Sequence, residues 1–317
     1  MSNKKIIVAI GGGTGVFTVL SGLKNYPDLN LKAIVSMADD GGSTGILREE
    51  FGILPPGDIR RALVALSHSD KLLAELFNYR FPQGGLSGHS FGNLLITSLE
   101  RITGSFEQAV REAGKILSTQ GEVIPVTLDQ CRLFAKLENG EIIQGETNID
   151  VPKHDGNLKI ERIYLKPKAT ANPKAIKAIL NADLVIVGPG DLYTSLIPNF
   201  LVSGVRNALL KTKAKKVYAV NLMTKFGETH NFSASDFVSS IENYIGKNCF
   251  DYILANNKKP EEKILKKYRE QNARFVNFDK ENLDDFKGGI IAKNFLRKGE
   301  LVRHNSRTLA EEIIKLI

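Results

Sequence analysis

The chain is poor in several groups that common chemistries require. Cysteine is scarce: Cys131 and Cys249 are the only two in 317 residues, and they lie far apart. Such a pair makes neither a redox nor a metal motif, and reads as core thiols in a reducing compartment. The five histidines are dispersed, so there is no Cys/His cluster with zinc-ligand spacing. No apolar run approaches about 18 residues, which excludes a helical membrane span. The apolar stretch near the N-terminus is of strand length, too short for the core of a secretory signal, so a cytoplasmic protein is expected. No G-x-S-x-G nucleophile elbow occurs. No Lys-Ser/Thr follows the first glycine cluster, which removes the Walker phosphate loop.

What is present is globular. Hydrophobic residues make up 42% and charged residues 25%, an ordinary balance with enough length for a large core. The formal charge of +8 favours anionic ligands. Much of it is Lys258, Lys259, Lys263, Lys266 and Lys267, interleaved with Glu261 and Glu262. That pattern is a solvated helix face, so nucleic acid is not an expected partner.

Glycine is abundant at 28 residues, and it clusters. Ile6-Ile7-Val8-Ala9-Ile10 reads as a buried strand and ends in Gly11-Gly12-Gly13-Thr14-Gly15. A helix is expected from Val16 to Leu23, with free N–H groups at its start that can face a phosphate. Leu31 to Met37 reads as the second strand, followed by Asp39-Asp40-Gly41-Gly42-Ser43-Thr44-Gly45. Acids there fit a ribose-binding carboxylate or a pair holding a divalent ion, and the alternative is a polar turn. Pro55-Pro56-Gly57-Asp58 is a stiff turn with Asp58 as the expected N-cap of a helix from Ile59 to Ser67. Further helices are expected at 72–79, 94–101 and 106–117. The third glycine loop, Gly84 to Asn93, carries His89 and Asn93.

From Glu122 to Lys168 the pattern changes. A strand at 123–126, a hairpin about Asn139-Gly140 and a strand at 158–165 predict a small β-rich elaboration. The α/β alternation then returns. Strand 183–187 runs into Gly188-Pro189-Gly190-Asp191-Leu192-Tyr193-Thr194-Ser195, followed by a helix at 200–210 and a strand at 216–221. A helix capped at Ser235-Asp236, a strand at 250–255, a helix at 261–271, an edge strand at 274–278 and a closing helix at 307–317 complete the chain. Loops at 11–15, 39–45, 87–93, 188–195 and 223–229 fall at strand ends, which converge in a doubly wound sheet. The expectation is one α/β domain over 1–317, a Rossmann-like doubly wound, mostly parallel sheet with the elaboration at 122–168. Either a binding site or a transferase site fits that loop set, because phosphoryl chemistry rests largely on charge stabilisation.

As an ordered set, Gly11–Gly15, Asp39–Gly45, Gly57-Asp58-Ile59-Arg60, Gly88-His89-Ser90-Phe91-Gly92-Asn93 and Gly188–Ser195 resemble the 2-phospho-L-lactate transferase superfamily. The closer resemblance is to its bacterial branch, the gluconeogenesis factor family, and it covers nearly the whole chain. In the transferase branch the resemblance implies a guanosine-diphosphate-linked phospholactate donor, a deazaflavin acceptor and magnesium. In the bacterial branch it implies binding of UDP-N-acetylglucosamine, and roles in gluconeogenic growth and in cell shape through wall synthesis. The implied partners are the nucleotide sugar, proteins of cell-wall synthesis and a second copy of the chain. On this reading Gly12, Gly13 and Thr14 meet the diphosphate. Asp39 and Asp40 take the ribose or a Mg2+ ion, and His89 and Asn93 orient the ligand. Gly190, Asp191 and Thr194 close the far side, with Glu228 retained in the later loop. That loop departs from the bacterial pattern at Lys225 and His230, and Phe237 departs just beyond it.

Overall fold

The computed structural model describes residues 4–317. Seven strands form a parallel sheet: β1 (Lys5–Gly11), β2 (Leu29–Val35), β3 (Glu122–Pro125), β7 (Leu184–Val187), β8 (Lys215–Ala219), β9 (Tyr252–Asn256) and β10 (Gly289–Lys293). Their order is β10-β9-β8-β7-β1-β2-β3, and every neighbouring pair runs parallel. The intervening β4 (Arg132–Leu137), β5 (Ile142–Gln144) and β6 (Ile160–Lys166) form a separate antiparallel sheet, ordered β5-β4-β6. This is the doubly wound α/β architecture expected, with a small antiparallel addition.

Burial explains the strand composition. Val8, Ala9 and Ile10 are 0% exposed because β1 is central and covered on both faces. Each such branched side chain contributes about 1.5–3 kcal/mol of apolar transfer. β4 shows the other pattern: Leu133, Ala135 and Leu137 are buried, while alternate residues are half-exposed. Its inward face joins the same apolar core as β1. The Tyr244 hydroxyl accepts the Ile163 N–H at 3.0 Å, tying β6 to the helix Ala234–Ile245.

Chain direction sets the site. From β1 the chain winds outward through β2 to β3, and from β7 it winds the other way to β10. The switch point therefore lies between the carboxyl ends of β1 and β7, where the Gly11–Gly15 and Gly188–Ser195 loops meet.

Several elements differ from expectation. β3 extends the parallel sheet, so the antiparallel elaboration begins at β4 rather than at residue 122. Gly42–Phe51 is a helix whose first turn overlaps the loop expected at 39–45; it buries Ser43, Thr44 and Arg48 beside Leu47, and so has no apolar period. Glu146–Asp150 is a further short helix without a sequence signal. The expected helix at 200–210 is a π-helical turn (Leu192–Leu196), a short helix (Ile197–Leu201) and, after Gly204 at φ +103°, a helix Val205–Lys211. The edge strand is β10. Residues 274–278 make only an isolated bridge, Phe275 to Met223. Ser233, not Ser235, caps the helix Ala234–Ile245, in a reciprocal capping box with Asp236. Among the described residues, no helix is long and apolar enough to cross a membrane.

Candidate functional site

The helix after β1 begins at Gly13, earlier than expected, and Gly12 offers no side-chain cap. Its open N–H groups carry the positive end of the helix dipole. Gly13 sits at φ +62°, a conformation costly for other residues. A Cβ on Gly15 would lie 1.9 Å from the Pro189 carbonyl oxygen, so glycine is what lets the helix start touch the 188–190 loop.

Two cavities meet beside this contact, which itself lines the larger. The smaller, about 350 Å³ and mostly polar, is lined by Asp39, Asp58, Glu146, Asp150 and Asp191, with Arg60, Arg61 and Arg80 facing them. The larger, about 530 Å³, adds apolar surface and the side chains of Asn221, Phe226, Tyr268 and Arg303. Gly13, Thr14, Asp150, Asp191 and Ser195 line both, so the two are lobes of one groove across the switch point. A third cavity, about 580 Å³, lies beside the end of β9 and touches the larger lobe only through Ala273.

Carboxylate crowding dominates the smaller lobe. Burial pushes Asp58 up to about 6, Asp39 adds repulsion, and Arg61 and the Gly13 N–H oppose the rise. Burial, then Asp39, Asp150 and Asp58, push Glu146 up to about 9. Burial also raises Asp39. A divalent cation would relieve this repulsion, and oxygen-rich carboxylate sets suit magnesium. Asp40, expected beside Asp39, points elsewhere: its carboxylate accepts the N–H groups of Glu146 and Thr147 at 3.2 and 2.9 Å. It anchors the short helix 146–150, and the acid that joins Asp39 is Asp58. Asp58 is not an N-cap; it lies inside the helix Gly57–Leu66 and pairs with Arg61 at 3.0 Å.

His89 and Asn93 form a supporting string. His89 Nδ1 lies 3.1 Å from Ser43 Oγ, and Asn93 Nδ2 donates to the same oxygen at 3.2 Å. Asn93 Oδ1 accepts from Arg60 Nε at 3.0 Å and aims that guanidinium at the cavity. Burial, then Arg61 and Arg80, lower Arg60 to about 10, so it stays cationic at neutral pH. Asn93 lines the smaller lobe; His89 lines neither and acts only through Ser43.

The far side is arranged similarly. The Gly190 N–H donates to Asn221 Oδ1 at 3.3 Å. Thr194 Oγ1 and the Tyr193 N–H donate to Glu228 at 3.3 and 3.2 Å. The Glu228 side chain is 0% exposed and lines neither lobe. Glu228 thus holds the 193–194 turn from behind, which corrects its expected place against the ligand. Gly12, Gly13, Thr14, Gly190, Asp191 and Thr194 all reach the groove. Of the three departures, Lys225 bonds to Asp150 and Asp191, His230 packs on Phe226 with ring centroids 5.8 Å apart, and Phe237 is core, edge-on to Phe232. Asp58, Glu146, Asp150 and Arg61 are groove residues that the site reading did not include. Asp58 carried a signal in its Gly-Asp-Ile-Arg context, whereas Glu146 and Asp150 carried none.

Comparison with known proteins agrees with this geometry. A family model described as 2-phospho-L-lactate transferase CofD matches residues 7–296. A Clostridium acetobutylicum protein is 47% identical over 313 residues, covering 98% of this chain and 69% of that protein. The gluconeogenesis factor of Bacillus subtilis is 40% identical over 320 residues, covering 100% of this chain and 99% of that one. A crystal structure of a UPF0052 family member from Bacillus halodurans superposes with a TM-score of 0.94 at 39% identity, over 99% of this chain and 100% of that chain. With the fold and near-complete coverage in agreement, the chain belongs to the 2-phospho-L-lactate transferase CofD family, within its gluconeogenesis factor branch.

Proposed function

We propose that the protein binds a nucleotide sugar, UDP-N-acetylglucosamine, along the two-lobed groove, and serves gluconeogenic growth and wall synthesis as a regulator. One observation carries this reading: a highly charged lobe opens directly into a lobe with apolar surface, across the Gly13-Thr14 and Asp191 contact. A diphosphate suits the first, between the helix start and Arg60, Arg61 and Arg80. A base or sugar suits the second, beside Phe226, Tyr268 and Asn221. Asp39 and Asp58 would hold Mg2+, which supplies positive charge for the diphosphate. Calorimetric titration with UDP-N-acetylglucosamine, with and without Mg2+, should give saturable binding that Mg2+ tightens. No heat in either condition from folded protein would sink the reading.

A second reading, a magnesium-dependent transferase, draws on Asp58. In it Asp39 would hold the Mg2+ and leave Asp58, a carboxylate facing the groove, as the general base. In that reaction an acceptor hydroxyl attacks a phosphorus of the nucleotide-diphosphate donor and Asp58 takes its proton. The bond to the nucleoside monophosphate breaks. Product analysis with such donors, Mg2+ and candidate acceptors separates the two readings: unconverted donor despite binding favours the regulator.

A further inference from the structure

Between the two lobes stands a cage of three carboxylates drawn from three separate parts of the chain. Asp150 comes from the short helix 146–150, Asp191 from the loop after β7 and Glu228 from the loop after β8. One oxygen or more of each lies within 4.8 Å of the others, a spacing fit for a metal ion. The cage is filled by Lys225, whose ammonium bonds to Asp150 and lies 3.2 Å from Asp191 Oδ2 and 3.4 Å from Glu228 Oε1. Burial works against that charge, but Glu228, Asp191 and Asp150 outweigh it and raise the Lys225 pKa. The lysine side chain also lines the larger lobe.

We infer that Lys225 is a tethered cation standing in a cage that would otherwise take a divalent ion, so that the charge offsetting Asp150, Asp191 and Glu228 at this wall of the groove comes from the chain itself. The inference stands apart from the nucleotide-sugar reading. An ammonium differs from a metal ion in two ways that matter here. It cannot leave, so this wall holds its charge whatever the cation supply. It also has at most three donors in fixed geometry, and the cage offers three acceptors. The lysine thereby links the antiparallel elaboration to the ends of β7 and β8, and closes the ridge that both lobes share.

Removing the lysine should expose the cage. Mn2+ uptake is counted by electron paramagnetic resonance on wild-type protein, Lys225→Gln and Lys225→Arg. Lys225→Gln should bind one equivalent more than wild type, and Lys225→Arg should match wild type. Adding Glu228→Gln to Lys225→Gln should weaken the extra site at least about tenfold, as loss of a charged ligand does. Equal stoichiometry in wild type and folded Lys225→Gln overturns the inference, as does an extra site indifferent to Glu228→Gln. If Lys225→Gln fails to fold, the pair Asp150→Asn/Lys225→Gln lowers the repulsion and should still hold the extra equivalent, about tenfold more weakly; no extra uptake at any Mn2+ concentration overturns the inference. Metal counting needs no nucleotide, so failed nucleotide-sugar binding by the wild type would overturn the functional reading and leave this inference to be decided on its own.

Discussion

The two lobes of the groove are built on opposite principles, although they share a wall. In the smaller, five acids and three arginines stand among glycine, hydroxyl and amide groups, and several of the charged groups are held away from their ordinary pKa by burial and by one another. In the larger, backbone, amide and aromatic groups alternate with apolar surface, and its acids are already paired with Lys225. The first stores repulsion that a cation or anion can release, and so answers to charge. The second presents shape and hydrogen bonds, and so answers to the neutral parts of a ligand. A protein with only the first would be an ion site, and one with only the second a generic cleft. Their union at Gly13-Thr14 and Asp191 makes a phosphorylated ligand with a neutral body the natural occupant.

The Gly15–Pro189 contact, which lines the larger lobe beside the shared Gly13-Thr14 wall, gives the largest expected effect. Gly15→Ala places a methyl group 1.9 Å from the Pro189 carbonyl oxygen, and neither partner is a flexible side chain. The helix start and the 188–190 loop must separate, at a cost of about 3 kcal/mol or more. Thermal unfolding should show this as a lowered midpoint, and ligand binding should fall in both lobes together. A stable variant with one lobe still functional would show that the lobes do not depend on their common wall.

The next effect separates them. Asp58→Asn removes one acid from the charged lobe and reaches the larger lobe only through the shared Gly13 N–H. Mg2+-dependent tightening of nucleotide-sugar binding should drop about 10- to 100-fold, the range typical for disturbed metal shells. Binding without Mg2+ should change little. Calorimetry in both conditions gives the ratio, and equal losses in both would mean that Asp58 supports the whole groove rather than a metal.

The same contrast governs what could be read in advance. The parallel sheet was legible because β1, β7 and their neighbours are short branched runs ending in glycine, and burial on both faces leaves no other reading for such runs. Gly12, Gly13, Thr14, Gly190 and Asp191 were legible with it, since sheet topology alone brings strand ends together. The charged lobe was not. Asp40 and Asp39 are adjacent in sequence but their carboxylates diverge, because backbone direction reverses their side chains and the helix 146–150 offers Asp40 free N–H groups. Glu146 and Asp150 arrive on an element five residues long, with no periodicity to announce it. Lys225 stood out only as a departure; its meaning depended on three acids remote from one another in the chain.

A pH titration tests the stored repulsion directly. Glu146 has an ordinary value of 4.5 and a folded value of about 9. The fold binds that proton more tightly, so its stabilising contribution is complete below 4.5 and is lost as pH rises through about 9. Asp58, moved from 3.8 to about 6, loses its contribution earlier. His304 acts oppositely: burial lowers it from 6.5 to about 4, so acid below 6.5 destabilises the fold. The window from 6.5 to 9 therefore reports Glu146. The unfolding midpoint of the unliganded protein should fall across it, and Glu146→Gln should flatten that fall in part. Millimolar Mg2+ should oppose it. A midpoint that rises from pH 6.5 to 9 would refute the crowding.

The smallest effect belongs to the larger lobe. Asn221 accepts the Gly190 N–H at 3.3 Å and lines the cavity. Asn221→Ala removes one neutral hydrogen bond that places the Gly190 loop, worth about 1 kcal/mol, so affinity should fall by at most roughly fivefold. Because that loss concerns placement and not charge, it should be the same with and without Mg2+ and should leave Mn2+ stoichiometry unchanged. A metal-dependent loss at Asn221 would mean that charge reaches across the shared wall, and that the two lobes act as one electrostatic unit rather than as a charged site and a shaped one.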